Sequence, residues 1–167
     1  GDVTGPGETG KGTLNFTPAT TGIYDIQAGA EVLLDLALGG VSDKLVFNGT
    51  AGSTLTWNGR LKVGAAVLTP VAPEMFDLLD WAASVSTTFA AHFSTGNRRD
   101  GSADDGSDFD LPNISGSGFV WDISSFTSNG SISIVVVPEP GRSALLCVDL
   151  FTLIIRRKRH CYLSPCH

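Results

Sequence analysis

A polar stretch in the second half of the chain carries the residues best suited to hold a metal ion. Residues 94–110, STGNRRDGSADDGSDFD, contain the acids Asp100, Asp104, Asp105, Asp108 and Asp110. Ca²⁺ takes about six to eight oxygen ligands, and glycines let a loop wrap around it, so these carboxylates are a calcium candidate. The spacing is not that of an EF-hand, because Asp105 falls where that loop requires glycine. A solvated polar loop without a metal is the favoured interpretation.

The last eight residues hold a second set of potential metal ligands. The sequence HCYLSPCH contains His160, Cys161, Cys166 and His167. Thiolates and imidazoles are the usual zinc ligands. The set follows an apolar segment and has no flanking strands to support it. We therefore predict a disordered tail over 160–167, and no cofactor for the chain.

Residues for nucleophilic catalysis or sugar binding are weakly indicated. His92 is the one histidine before residue 160, and no serine has the surroundings of a nucleophile elbow. Trp57, Trp81 and Trp121 would stack on sugar rings if exposed, but aromatic residues at strand positions are usually core. We expect a non-catalytic protein, with His92 either at the surface or half-buried and the tryptophans packed inside.

Charge is distributed unevenly along the chain. Residues 1–141 carry sixteen Asp and Glu against six Lys and Arg, whereas residues 142–167 carry one against five. Because nucleic-acid binding needs a basic face, the acidic body argues against a nucleic-acid partner. All three cysteines lie in the tail, so the body is not a disulfide scaffold.

Short runs of alternating apolar and polar residues recur from residue 12 onward, separated by Gly or Asn-Gly. They are GTLNF, GIYDIQAG, AEVLLDLALGG, DKLVFNG, STLTWNG and RLKVG. A spacing of about ten residues predicts an all-β fold and leaves a sandwich, a barrel and a β-solenoid open. We predict MFDLLDW (75–81) as one strand, with one and a half helical turns as the alternative. SNG (128–130) is predicted as the turn of a hairpin.

The chain changes character after residue 137. Pro138, Glu139 and Pro140 precede an apolar segment at 143–155, and four cations close it: Arg156, Arg157, Lys158 and Arg159. The prolines break regular structure and leave an extended stretch that a protease can reach. A basic run beside an apolar helix stays on the cytoplasmic side, which would turn the body outward. The alternative is a C-terminal helix packed on the body.

This tail resembles the PEP-CTERM sorting signal of exported bacterial proteins, in its Pro-Glu-Pro, its apolar segment and its basic run. The resemblance implies export, transient anchoring in the inner membrane and cleavage near Pro-Glu-Pro by an exosortase. The product would be released or held at the cell surface, with exopolysaccharide as a potential partner.

The body resembles the last segment of autotransporter-associated β-strand-repeat proteins. The matching stretches are FDLLDW (76–81), FDLP (109–112) and GFVWDISSFTSNGSISIV (118–135). The resemblance implies a right-handed parallel β-helix. We expect FDLLDW and FVWDI to pack against each other at the end of the stack. Five apolar side chains would then cover its last open turn: Phe76, Leu78, Trp81, Phe119 and Trp121.

The tail also departs from the sorting pattern. Asp149 interrupts the apolar segment, and thirteen residues span roughly 20 Å of helix, short of a ~30 Å hydrocarbon core. Residues 160–167 extend beyond the basic run. We therefore hypothesise an altered or weakened copy of the signal.

Together these observations predict a β-solenoid-like extracellular region at 1–137, with a β-sandwich as the alternative fold. A sorting signal at 138–159, including a short hydrophobic helix, and a tail at 160–167 follow it. The expected function is structural or adhesive, in the cell envelope or outside the cell. A carbohydrate-binding or carbohydrate-active β domain is the alternative.

Overall fold

The computed structural model describes residues 11–65, 69–96, 98–99, 101 and 108–137. Half of these residues lie in β-strands grouped into four open sheets, and few are helical, which confirms the all-β prediction. All of them except Val137 belong to one compact unit, Gly1–Val136. The hydrophobic helix predicted over 143–155 lies outside the described residues.

Three of the sheets contain parallel strands that recur in a fixed order along the chain. The first sheet contains β1 (Thr13–Phe16), β5 (Lys44–Phe47) and β9 (Leu79–Trp81). The second contains β2 (Ile23–Ile26), β6 (Ser53–Trp57) and β10 (Val85–Phe89). The third contains β3 (Glu31–Ala37), β7 (Arg60–Ala65) and β12 (Phe109–Asp110), with β4 (Val41–Ser42) antiparallel at the end of β3.

The chain passes through these three sheets in a repeating cycle. We call β1, β2 and β3 the first level, β5, β6 and β7 the second level, and β9, β10 and β12 the third level. Each strand of the second level lies between its counterparts of the first and third levels. The cycle therefore stacks three levels of strands on one another.

Parallel pairing places equivalent residues of successive levels side by side. Leu14 lies opposite Leu45, and Leu45 lies opposite Leu79. Because successive side chains of a strand point to opposite faces, the apolar residues of each level share the inner face. The resulting columns of apolar side chains form the core.

Polar side chains at the corners connect the first level to the second. Asp43 accepts hydrogen bonds from the amides of Gly12 (2.8 Å) and Asp35 (3.0 Å). The hydroxyl of Ser53, which is fully buried, accepts one from the amide of Gly22 (2.9 Å). These contacts satisfy backbone amides that have no partner in a neighbouring strand, as buried polar groups require.

The fourth sheet is antiparallel. Its strands lie in the order β11 (Arg98–Arg99), β13 (Phe119–Asp122), β14 (Ser131–Val136) and β8 (Glu74–Asp77). A 3₁₀ turn, Ala91–Phe93, follows β10, and one short helix, α1 (Phe126–Asn129), connects β13 to β14.

The prediction of one strand over MFDLLDW is wrong. The segment forms β8 in the antiparallel sheet and β9 in the first parallel sheet, with Leu78 between them. The amides of Leu78 and Leu79 both donate to the carbonyl oxygen of Gly130, at 3.1 and 3.2 Å. Both leucine side chains are fully buried, so the alternation expected of a single strand ends where the chain changes sheets.

The SNG turn is also different from the prediction. Strands β13 and β14 do pair as an antiparallel hairpin, but residues 123–130 connect them and include α1. Asn129 ends the helix, and Gly130 follows in the left-handed conformation with φ of 75°. A left-handed glycine after a helix is a common way to end it, so the Asn-Gly signal marks a helix end here.

The polar stretch at 94–110 is not wholly a loop. Arg98–Arg99 pairs with β13, and Phe109–Asp110 pairs with β7. Phe109 is buried because it lies opposite Leu61 on the inner face. One apolar residue among polar neighbours was too weak a pattern to predict a strand.

Candidate functional site

The third level is closed by a cluster of phenylalanine rings, which we call the cap: Phe93, Phe109 and Phe126. The ring of Phe126 lies 5.2 Å from that of Phe93 and 4.7 Å from that of Phe109. Phe89 of β10 packs against it at 5.8 Å. All three cap residues are almost fully buried. The cap therefore closes the stack where β10 and β12 are the last strands of their sheets.

Helix α1 is held on the third level by its own end. The carbonyl oxygen of Gly130 accepts hydrogen bonds from the amides of Leu78 and Leu79. The amide of Gly130 donates a hydrogen bond to the carbonyl oxygen of Phe126 at 2.8 Å. A Cβ atom at Gly130 would overlap the carbonyl oxygen of Leu79. This close approach of two backbones explains why glycine stands at this position.

None of the five predicted covering residues belongs to the cap. Phe76 and Trp121 pack together at 5.9 Å, which confirms the predicted contact between FDLLDW and FVWDI. Phe76, Leu78 and Trp121 are fully buried, whereas Phe119 and Trp81 are half-buried. The aromatic contact found for Trp81 is with Phe89 (5.6 Å).

Sequence reasoning missed all three residues of the cap as covering residues. Phe93 lies in the apolar run FAAHF, and Phe126 lies between polar residues in SSFTSNG. The one sequence feature that could have indicated burial of Phe126 is that it is a single phenylalanine in a polar connecting segment.

The first level is less well covered than the second. Five of its inward side chains, in β1, β2 and the start of β3, are only partly buried: Leu14, Phe16, Tyr24, Ile26 and Val32. Leu34 and Leu36, further along β3, are buried. Their second-level counterparts are buried: Leu45, Phe47, Leu55, Trp57 and Leu61. Within the part of the chain that the structure describes, β1 and β2 pair with a strand on one side only. Among the described residues, the stack thus has a closed end at the third level and an open end at β1 and β2 of the first.

Two acids of the candidate calcium site, Asp108 and Asp110, lie in the described part of the chain, and each contacts a different basic residue. Asp110 is buried and forms an ion pair with Arg60, whose guanidinium also lies 3.7 Å from Glu31. Asp108 is 60% exposed, with an oxygen 3.7 Å from Nδ1 of His92.

The other calcium candidates, Asp100, Asp104 and Asp105, lie outside the described residues. Among the side chains that are described, no three His, Cys, Asp or Glu come close enough to hold a metal ion.

His92 lies beside the cap. Its ring packs on Phe93 with centroids 4.1 Å apart, and it is half-buried, as predicted. A histidine between a buried phenyl ring and an exposed carboxylate is placed to pack and to form an ion pair when protonated.

Two of the three tryptophans are unavailable for sugar stacking. Trp57 and Trp121 are 0% exposed, as predicted for core residues. Their indole N–H groups donate to the carbonyls of Gly59 (3.1 Å) and Pro112 (2.7 Å). Each indole therefore has its ring buried and its N–H group hydrogen-bonded inside the protein.

An exposed pair of carboxylates flanks a lysine on the first sheet. Nζ of Lys44 lies 2.5 Å from Asp77 and 3.3 Å from Asp80. Their contact raises the pKa of Lys44 above its ordinary value, chiefly through its hydrogen bond to Asp77. Lys44 and the two carboxylates therefore form an ion-pair cluster on the surface.

The sorting motif (138–140), the basic run (156–159) and the terminal Cys and His residues all lie outside the described residues. Within the described part of the chain, helices are too short to cross a lipid bilayer. In comparisons with protein-family models, curated proteins and solved structures, the chain finds no match.

Proposed function

We propose that the chain is the C-terminal end of an exported, non-catalytic surface protein with a structural or adhesive role. Its body would be a parallel β-solenoid whose last turn is closed by the cap. The difference between the closed end and the open end is the observation that carries this proposal. A stack finished on one side only suits the terminal part of a longer array.

The solenoid is supported by the cyclic order of the three parallel sheets. A β-sandwich, the alternative, is built from two sheets of antiparallel strands. Here the antiparallel pairing is found in the fourth sheet and at the end of β3. The inward columns of leucine and aromatic residues also favour a solenoid, since each level then buries its neighbour.

The closed end suits a position beside an export tail. Terminal strands of a sheet offer unpaired backbone groups that recruit other chains, and a covering element prevents this. Phe126 and α1 cover the third level, and β14 ends at Val136, just before Pro138. The folded body and the tail would then act separately, the body as the surface element and the tail as the address.

The tail gives the proposed route. Pro138, Glu139 and Pro140 would be the exosortase recognition motif, and the basic run 156–159 would stop transfer in the inner membrane. After cleavage the body would remain in the envelope or leave the cell, in contact with exopolysaccharide.

Carbohydrate binding is the second candidate function. The half-buried Trp81, next in sequence to the exposed Asp80, is the feature that favours it. Lys44 already engages Asp80, however, and Trp57 and Trp121 are buried. A surface role without catalysis therefore has the stronger support.

Expression in a bacterium that carries an exosortase tests the function. Intact mass and fractionation should show a body that ends near Pro140 and lies outside the inner membrane. A variant with Pro138→Ala, Glu139→Gln and Pro140→Ala should remain full-length in the membrane, whereas the exposed-site control Thr20→Ala should behave like the parent chain. A full-length soluble parent chain would contradict the proposal.

A further inference from the structure

Among the strands that the structure describes, none pairs with the first half of the outer edge of β3. The amide of Arg60 donates to the carbonyl of Ala30 at 2.8 Å. Because backbone groups of a parallel strand face its two neighbours alternately, those of Glu31 and Leu33 face away from β7. Strand β4 pairs with β3 only further along, at Leu36 and Ala37.

The second half of this edge is already used. Asp43 bonds to both the amide and the carbonyl of Asp35, at 3.0 and 2.8 Å. The open part is therefore Glu31 to Leu34, where Leu33 is 46% exposed on the outer face. Within the described structure this part of β3 has one neighbouring strand, β7.

Ion pairs on the outer face place each cation between two acids. Arg60 lies between Glu31 of the first level and Asp110 of the third. Lys44 lies between Asp77 and Asp80. Glu31 is the outermost acid of its column, and its side chain is 50% exposed. Acidic and basic side chains alternate along this column, so a basic side chain on the open side of Glu31 would continue the alternation.

Strand β7 shows which pattern of side chains fits beside β3. Its sequence RLKVGA places Arg60 opposite Glu31 and Lys62 opposite Leu33 on the outer face. Leu61 and Val63 are buried on the inner face. A strand with basic outer and apolar inner residues thus fits one edge of β3, and the other edge presents the same side chains.

We propose that the free edge of β3 binds a parallel strand from the preceding level of the same surface protein. That strand carries a basic residue opposite Glu31 and apolar residues opposite Val32 and Leu34. Residues 1–10, GDVTGPGETG, contain two acids and no cation, so they do not fit this pattern. The proposal rests on the solenoid of the proposed function and adds the chemistry of its missing neighbour.

A peptide titration of the full chain tests this edge. The probe is a capped peptide with the sequence RLKVGA, and its charge-reversed control is ELEVGA. Addition of a strand forms main-chain hydrogen bonds, so the basic peptide should slow amide exchange at Leu33. It should also bind at least about tenfold more tightly than the acidic control, since Glu31 attracts the one and repels the other.

Substitution of Glu31 sharpens the test. Glu31→Lys should reverse the preference between the two peptides, whereas Asp108→Lys, an exposed acid of the third-level end, should leave it unchanged. Equal binding of the two peptides, or absence of protection at Leu33, would overturn the proposal. So would a dimer in light scattering whose own contacts protect Leu33. If Glu31→Lys does not fold, the difference in binding of the two peptides to the parent chain still tests the proposal.

Failure here and failure of the proposed function are distinguishable. The export assay follows the tail through mass and location, and the peptide assay follows one sheet edge. A chain that is exported and processed but ignores the basic peptide would lose only this inference.

Discussion

The rings of Phe126 and Phe93 are stacked, with centroids 5.2 Å apart and planes 22° from parallel. Phe126 belongs to the short helix before the last strand, and Phe93 follows the last strand of the second sheet. Their contact joins the antiparallel sheet to the third level. It is the central contact of the closed end.

Removal of the Phe126 ring should destabilise the body strongly. Phe126→Ala deletes a fully buried aromatic side chain, which costs about 3–5 kcal/mol of unfolding free energy. Denaturant unfolding followed by tryptophan fluorescence measures the change. The control is Phe16→Ala at the open end, where the ring is half-buried and the loss should be smaller. Equal losses at both positions would contradict the difference between the ends.

A methyl group at Gly130 should be poorly tolerated. Gly130→Ala combines a left-handed backbone with overlap against the Leu79 carbonyl, so we expect a loss of at least about 3 kcal/mol. Gly116→Ala is the matched control, because Gly116 has a similar φ but no atom within 4 Å of the place that a methyl group would take. Its cost should be about 1–2 kcal/mol. Thermal unfolding of the two variants gives the comparison, and similar melting temperatures would refute the close approach.

Loss of the Ser53 hydroxyl should weaken the connection between the first two levels. Ser53→Ala leaves the amide of Gly22 without its side-chain acceptor, at a cost of about 1–3 kcal/mol. Ser84→Ala, at an exposed hydroxyl that donates to the Gly49 carbonyl, should change stability by less than about 0.5 kcal/mol. Urea unfolding of both variants checks the difference. A neutral Ser53→Ala would mean that water replaces this hydroxyl readily.

Most strands of the parallel sheets were predictable because each alternates apolar and polar residues and ends at glycine or Asn-Gly. Lys44–Phe47 and Ser53–Trp57 are examples. The strand prediction fails where the chain passes from one sheet to another. Leu78 and Leu79 are both buried because the chain changes sheets between them, and periodicity within one segment carries no information about that change.

The candidate site was predictable to a smaller extent. The contact between Phe76 and Trp121 followed from two aromatic motifs, but the cap depends on residues far apart in sequence. Phe126 is buried because Gly130 holds its helix against β9, and this contact is a tertiary one. The polar surroundings of Phe126 and Phe109 gave a local signal for loops, which packing overrode.

Stability should depend on Lys44 in alkaline solution. The pKa of Lys44 is raised in the folded state by Asp77 and Asp80, so its stabilising effect is fully present below the unfolded pKa of about 10.4. The effect is lost as the pH rises through the higher folded pKa. Lys44→Met should therefore cost up to about 1 kcal/mol at pH 8, and this difference should shrink above about pH 10.4.

Unfolding by urea at several pH values measures this dependence. Lys62→Met, at an exposed lysine of β7, is the control and should follow the parent chain across the same range. A difference between Lys44→Met and the parent chain that stays constant to high pH would show that the lysine stem, and not its charge, matters.

Residue-resolved amide hydrogen exchange on the full chain tests the closed and open ends most directly. Backbone groups under buried side chains open less often than those at a poorly covered edge. We expect slow exchange in β9, β10 and the amide of Gly130, and faster exchange in β1 and β2. Exchange in β1 and β2 as slow as in β9 and β10, or rapid exchange at Gly130, would contradict a stack that is closed at the third level and open at the first.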